Sequence, residues 1–498
     1  MSSLPQSYLV NPDRLRSVFE AQRQAFAEHA PLPYARRMKA LDNLLAAVLK
    51  YEQTFIDALQ SDFGRRSAHE TRLLEIFPVI DEIRHTRRRL RRWMRPRAAS
   101  VNWQFRPSRA QIVYQPLGVV GVIGTWNYPI LLTLSPLVNA LAAGNHVMIK
   151  SSEIAPATAA AITRMIGECF SENYAAVVTG DQHVAAAFAS LPFDHLIFTG
   201  SGRVGKMVMK AAAENLTSVT LELGGKSPAL VHESFSMADA ADRICSAKLW
   251  NAGQTCVAPD YALVPIHLLD EFVHHGLAVI SKRFPTLLSN PNYTNMISEA
   301  AWLRMQSLLD DAQKKGAQIV QVNQADEKLT AGSRVFPPTL VLRVEASMRL
   351  MQEEIFGPIL PVISYSSLEQ AVAFINAGPR PLALYYFDHR RSRINEVLAR
   401  TTSGGVTVND CIFHLPQHNL PFGGIGPSGM GAYRGFDGFE TFSNKKGVLL
   451  QSHWVGAFCD RLMKPPYSDR TTWLIGALLR RGSQRSIEKM SLPESFPR

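Results

Sequence analysis

The sequence predicts an α/β protein made of two successive parallel-sheet domains and a small β-ribbon. Three observations predict it. From Gly118 onward, short apolar runs alternate with helical segments, the pattern of βαβ units. The alternation restarts after Gly224, which implies a second sheet. Two extended stretches, 101–116 and 430–452, bracket the alternating part and can pair with each other.

Taken in order, residues 11–95 read as helical. Leu41, Leu44, Leu45, Val48 and Leu49, then Phe55, Ile56 and Leu59, recur at helical spacing, and Pro96 ends the region. Residues 101–115 alternate apolar and polar in two short pieces, a two-stranded ribbon. Gly118–Gly124 is a buried strand. Helix 135–143, strand 146–150, helix 158–169, strand 175–179, helix 184–189 and strand 195–199 follow. Beyond Gly224 come strand 229–231, a long helix near 237–251 and strand 261–264. The expected domains are 1–100 with 117–224, then 225–425, then the 101–116 and 430–452 ribbon, which would serve oligomerisation, and a tail over 453–498. In the tail, Thr471–Arg481 is a short apolar run ending in arginines. A helix docked on its own domain or on a partner subunit is the favoured reading, with an interfacial membrane helix as the alternative.

The chain has 498 residues, of which 46% are hydrophobic and 19% charged, as in a globular protein with a large core. Its net charge of +11 permits contact with nucleic acid or anionic membrane and demands neither. Much of the excess lies in Arg84–Arg95. A solvated helix face is the plainer reading, because Trp93 is alone there and base stacking wants interleaved aromatics. Five cysteines (Cys169, Cys245, Cys256, Cys411 and Cys459) are scattered, with no CxxC pair and no histidine cluster at zinc spacing. That argues against a disulfide framework and against a structural metal. The N-terminus shows no secretory pattern and no apolar run nears the ~20 residues of a spanning helix, so a cytoplasmic protein is expected.

The chemistry begins with Gly200-Ser-Gly-Arg-Val-Gly205, which follows a strand, opens a helix and has the GxGxxG spacing of a Rossmann-type dinucleotide turn. Glycines admit a pyrophosphate close to the backbone, and the helix N-terminus favours its charge. The same rule asks for an acid about 20 residues on to hold ribose, which would be Glu222. A second reading competes. Glu222 ends a strand in Leu221-Glu-Leu-Gly-Gly-Lys-Ser-Pro228, and Cys256 follows a helix in Gly253-Gln-Thr-Cys-Val-Ala-Pro259. One thiol and one carboxyl in apolar surroundings suit covalent catalysis, with the thiolate as nucleophile and the carboxylate as general base.

Seven motifs in order carry a resemblance: Thr125-Trp-Asn-Tyr-Pro129, Ile149-Lys-Ser-Ser-Glu153, Phe198-Thr-Gly-Ser201, Leu221–Pro228, Gly253–Pro259, Glu353-Glu-Ile-Phe-Gly-Pro358 and Leu420–Gly431. The chain resembles the aldehyde dehydrogenase superfamily over nearly its whole length, and an aldehyde dehydrogenase-like fold is what this implies. The resemblance makes Cys256 the nucleophile, Glu222 the general base and Asn127 the side-chain donor of the oxyanion hole. It gives Lys150 and Glu153 to the adenosine ribose, and Gly200, Ser201 and Gly205 to the cofactor turn. Glu354 falls to the nicotinamide ribose, with Phe356 near that ring, and Trp126 and Phe422 to the substrate pocket. NAD is the implied cofactor. A carboxylate at Glu153 should repel the 2′-phosphate of NADP, although relatives of this type use both. Ser151 stands where the family often has proline, which loosens the turn after Lys150. No step needs a metal.

Within the superfamily the chain is most similar to the class 3-like branch, through Ala68-His-Glu-Thr71, Pro259-Asp-Tyr261 and Gly431-Ala-Tyr-Arg-Gly435. Asp62–Ser67 and Leu90–Pro96 are similar to bacterial coniferyl aldehyde dehydrogenases. The expected reaction is therefore oxidation of a small-molecule aldehyde to its acid through a cysteine thiohemiacetal and thioester, in a homodimer. A phenylpropanoid aldehyde is the expected substrate, with fatty or medium-chain aldehydes as the alternative. Transfer to CoA is disfavoured by Glu222, because relatives that acylate CoA often lack that base. A nucleic-acid binder acting through residues 84–97 is the remote alternative; no nucleic-acid partner is expected.

Overall fold

The computed structural model describes residues 12–456 and 464–480. Cys459 lies outside them. The described residues form two compact units, divided at 94/95, 114/115 and 444/445.

The larger unit opens with helices Pro12–His29, Tyr34–Lys50, Glu52–Phe63 and Phe77–Trp93. The last buries Ile83, Leu90 and Trp93 and leaves Arg84, Arg88, Arg89, Arg91 and Arg92 in solvent, while Arg87 pairs with Asp42 at 2.6 Å. The basic run is thus the wet face of an amphipathic helix.

Six strands follow in one sheet, in the order Gly429–Met430, Ser218–Leu223, His195–Gly200, Val119–Ile123, His146–Lys150 and Ala175–Val178. All are parallel except the first, which runs antiparallel to Ser218–Leu223. The strands are mostly apolar, as in a parallel sheet with helices on both faces. Phe188, Phe193, Leu196 and Leu221 are part of the core under one of them. The register pairs Ile123 with Lys150 and Phe198, and Gly200 with Leu223. The carboxyl ends of four strands therefore lie along one edge, where α/β sheets place ligands.

A second sheet has seven strands in the order Gln318–Gln321, Thr339–Leu342, Ile359–Tyr365, Tyr261–Pro265, Pro228–Val231, Ala383–Phe387 and Gly405–Val408. It is parallel apart from its first strand. The chain then returns to the first sheet, setting Gly429 beside Glu222.

Two stretches read as extended are not. Residues 435–441 form a helix, because Phe436 and Phe439, three residues apart, both pack on Trp93 at 5.9 and 5.7 Å between rings. Trp103–Phe105 is a 3-10 turn, so the strand that pairs with Arg109–Pro116 lies earlier, at Arg97–Ala99.

In the smaller unit, strands Arg97–Ala99, Arg109–Pro116 and Ser443–Leu450 form a three-stranded sheet in that order. Asp469–Arg480 is a helix with Trp473 and Leu479 exposed. No described helix is long and apolar enough to cross a membrane.

Candidate active site

Asn127 stands in the loop between strand Val119–Ile123 and helix Leu131–Ala143. It is buried, and its side-chain amide donates to the carbonyl of Gln254 at 3.1 Å, two residues before Cys256. Helix Met237–Leu249 leads into the cysteine loop through a kink at which Asn251 and Ala252 adopt φ of 52° and 51°. Left-handed backbone in residues other than glycine costs free energy and persists only where the surroundings dictate it. Here Asn251 Nδ2 donates to the carbonyls of Asn127 and Gln254 at 3.0 and 3.1 Å. Gln254 Nε2 donates to the carbonyls of Asn251 and Asn295, and Gln254 Oε1 accepts from Ile297 N at 2.9 Å. The loop is tied at both ends before it presents its thiol.

Cys256 is only partly buried, and it opens on a cleft. Burial pushes its thiol up to about 12, and the negative charges of Glu354 and Glu222 add to the shift. Glu222 is buried near the carboxyl end of its strand, opposite Thr199 and Gly429. Among the described residues, neither of its carboxylate oxygens has a hydrogen-bond partner. Burial raises its carboxyl well above the usual carboxylate range, against the opposing pull of the Arg434 guanidinium. Arg434 is itself buried, with φ of 91°; it lies over the Phe422 ring at 5.1 Å and donates to the carbonyl of Leu415 at 2.9 Å.

The cleft encloses about 520 Å³, and its walls join two kinds of residue. Trp126, Asn127, Glu222 and Cys256 form one part; Gly200, Ser201, Arg203, Glu354 and Phe356 form another. Trp126 and Phe356 meet edge to face at 5.4 Å between ring centroids. Helix Gly202–Ala213 begins at this cleft, capped by Ser201 Oγ, which accepts from Val204 N at 3.4 Å. A methyl group at Gly202 would touch nothing, so the helix N-terminus faces open space. Gly205 serves differently, since a Cβ there would lie 2.7 Å from Leu223, and it lets the helix close on the strand.

Glu354 is held from several sides. Its carboxylate lies where a Cβ on Gly224 would be. Arg304 donates to the carbonyls of Glu354 and Ile355 at 2.5 and 2.6 Å. Lys226 is paired with Asp260 and donates to the carbonyl of Leu350 at 2.8 Å, while Asp260 accepts from Ile355 N at 3.0 Å. Burial raises the Glu354 carboxyl to about 8; Asp260 adds to this, while the backbone N–H of Gly225 opposes it.

An open helix N-terminus, a half-buried carboxylate beside a glycine and an aromatic pair in one cleft fit a nicotinamide dinucleotide. Lys150, Glu153, Gly205 and Phe422 do not line the cleft. Lys150 is buried at the end of its strand and pairs with Glu153; Phe422 is buried between Tyr433 and Arg434. Arg203 and Arg434 fall inside the Gly200–Gly205 and Gly431–Gly435 motifs, where the sequence assigns them no role. Arg304 is a lone arginine on helix Glu299–Lys314 with no local pattern to mark it. Among the described residues, no group of three or more His, Cys, Asp or Glu is placed to hold a metal.

With that geometry in place, the likenesses to known proteins are informative. The model of the aldehyde dehydrogenase family matches residues 6–448. A probable coniferyl aldehyde dehydrogenase of Pseudomonas aeruginosa is 50% identical over 91% of this chain and 94% of its own length. The coniferyl aldehyde dehydrogenase of Pseudomonas sp. strain HR199 is 42% identical over 94% of this chain and 97% of its own. A solved structure, the substrate-bound state of Staphylococcus aureus AldH, has a TM-score of 0.86 at 35% identity, covering 94% of this chain and 99% of that one. The cleft that joins a thiol to a dinucleotide-type turn thus has its counterpart in sequence, and the chain belongs to the aldehyde dehydrogenase family.

Proposed function

We propose that the protein oxidises a phenylpropanoid aldehyde, coniferyl aldehyde or a close analogue, to the carboxylic acid with NAD as oxidant. One observation carries the site assignment: Cys256, Asn127, Glu222 and the Gly200–Ser201 turn open on a single cleft. The substrate class rests on the likeness to enzymes named for coniferyl aldehyde.

Cys256 is the nucleophile. Its thiol gives up its proton to solvent, and the sulfur bonds to the carbonyl carbon, which moves the carbonyl electrons onto oxygen. Asn127 Nδ2 and the backbone N–H of Cys256 donate to that oxygen as charge develops. NAD, when bound, supplies the hydride acceptor. Its adenosine ribose falls to Lys150 and Glu153, its pyrophosphate to Gly200, Ser201 and the helix N-terminus, and its nicotinamide ribose to Glu354 beside Phe356. Oxidation leaves a thioester on Cys256. Glu222 takes a proton from water, the water oxygen bonds to the acyl carbon, the C–S bond breaks and the acid departs. Trp126 lines the substrate side of the cleft.

The reading includes a homodimer. Ser443–Leu450 is an edge strand of eight residues with Leu449 and Leu450 exposed, a template for pairing with a second copy. It also places the enzyme in the cytoplasm, which suits the free thiols at Cys169, Cys245, Cys256 and Cys411. The test is kcat/KM for aliphatic, benzylic and cinnamyl aldehydes with NAD and with NADP. Cinnamyl aldehydes with NAD should lead; a lead by long aliphatic aldehydes would overturn the substrate assignment.

A further inference from the structure

The loop that carries Asn127 is gripped from behind by charged groups with no access to solvent. Arg66 Nη1 donates to the carbonyl of Asn127 at 2.8 Å, and Asn251 shares that carbonyl at 3.0 Å. Arg66 Nη2 pairs with Glu75 Oε1 at 3.0 Å, and both side chains are 0% exposed. The other oxygen of Glu75 accepts from Ile130 N and Leu131 N at 2.8 and 3.1 Å. Those two N–H groups stand at the start of helix Leu131–Ala143, so Glu75 caps the helix that follows the Asn127 loop. The guanidinium lies between the Phe63 and Tyr128 rings, 4.8 and 5.0 Å from their centroids, which fixes its plane. Tyr128 in turn bonds Thr255 through its hydroxyl at 2.8 Å, next to Cys256. A second carboxylate, half-buried, completes the frame. Glu70 accepts from Asn251 N at 3.0 Å and from Thr294 Oγ1 at 3.1 Å, holding the kink from which Asn251 reaches Asn127.

A buried ion pair is weak evidence for stability, because desolvation offsets the attraction. Its use is more often to fix a geometry. The geometry fixed here is the separation between the Asn127 amide and the cysteine loop. We propose that Arg66, paired with Glu75, is a positioning residue that sets where the Asn127 amide stands relative to Cys256. This rests on Asn127 being the oxyanion donor. Arg66 acts through the main chain of Asn127, with its guanidinium also held against the Tyr128 ring. A displacement of ~1 Å at a reacting group can cost ~10²-fold in rate. Release of the loop should therefore appear in kcat rather than in KM.

The test is a mutant cycle on the full-length enzyme, with kcat, KM and thermal midpoint read for each variant. Arg66→Met alone strands a buried carboxylate and endangers folding, so the informative variant removes both charges, Arg66→Met with Glu75→Gln. It should lower kcat about 10- to 100-fold with KM changed less than about threefold. Arg66→Lys, which keeps a cation within reach of the Asn127 carbonyl, should recover part of that loss. In an Asn127→Ala background the double change should have little further effect on kcat, because the group it positions is gone. Full additivity with Asn127→Ala, or an unchanged kcat in the folded double variant, would overturn the proposal. An unchanged kcat in Asn127→Ala alone would instead overturn the oxyanion assignment on which it rests.

Discussion

Asn127 and Glu222 open on the same cleft and are wrapped in opposite ways. The asparagine is bonded through its side chain to Gln254 and through its carbonyl to Arg66 and Asn251. Glu222 is as deeply buried, yet both of its oxygens lack partners among the described residues. The contrast fits the roles proposed for the two groups. A donor for a developing oxyanion works best when it is already in place and needs no reorganisation. A base that must first reach water and then hold a proton works best when nothing polar fixes its rotamer and desolvation keeps its proton affinity high. One side of the site is rigid by hydrogen bonding; the other is poised by its absence.

Four changes would break or sharpen that comparison. The largest effect is expected from Cys256→Ala, which removes the atom that both groups serve; NADH formation should fall by several orders of magnitude in a steady-state assay. Glu222→Gln should lower kcat by ~10²–10⁴, yet an initial burst of NADH, close to one per active site, should survive, because the base is needed after the thioester forms. Asn127→Ala should lower kcat by ~10²–10³ and abolish the burst, because it acts before the thioester. Rapid-mixing traces separate the two, and equal burst behaviour would erase the distinction drawn here.

The smallest effect concerns pH. Burial holds the Glu222 carboxyl well above its ordinary value of 4.5, and Arg434 works against that shift. Deacylation needs the carboxylate, so activity should rise with pH through the raised value. Arg434→Met should move this acidic limb to higher pH. The sign for stability is the reverse. A carboxyl that binds its proton more tightly when folded costs nothing at low pH. It destabilises progressively as pH rises from 4.5 through the folded value. Glu222→Gln removes that loss and should raise the melting temperature relative to wild type on the alkaline side, with little change in acid.

The two halves of this comparison were unequally legible in the sequence. Glu222, Cys256 and Asn127 sit in compact motifs, and the βαβ alternation after Gly118 placed their strands and turns close to where they fold. What holds Asn127 was not legible. Arg66 and Glu75 lie 61 and 55 residues from the groups they bond, and although Arg66 falls in the Asp62–Ser67 stretch, nothing there tells it from a surface charge. Arg434 has no role legible in the sequence for the same reason: a buried guanidinium is recognised by its surroundings rather than by its neighbours in the chain. The segment 435–441 misled for another cause. Its apolar and polar residues suggest a strand, but Phe436 and Phe439 find Trp93, and that tertiary contact selects the helix.

The central claim is that an acyl group passes through Cys256 and waits there for Glu222. Intact-protein and peptide mass spectrometry of the Glu222→Gln variant, quenched after mixing with NAD and a cinnamyl aldehyde, tests it most directly. The account predicts that the peptide bearing Cys256 gains the mass of the acyl group, and that wild type under the same quench carries far less of it. No adduct, or an adduct on Cys169, Cys245 or Cys411 instead, would contradict it.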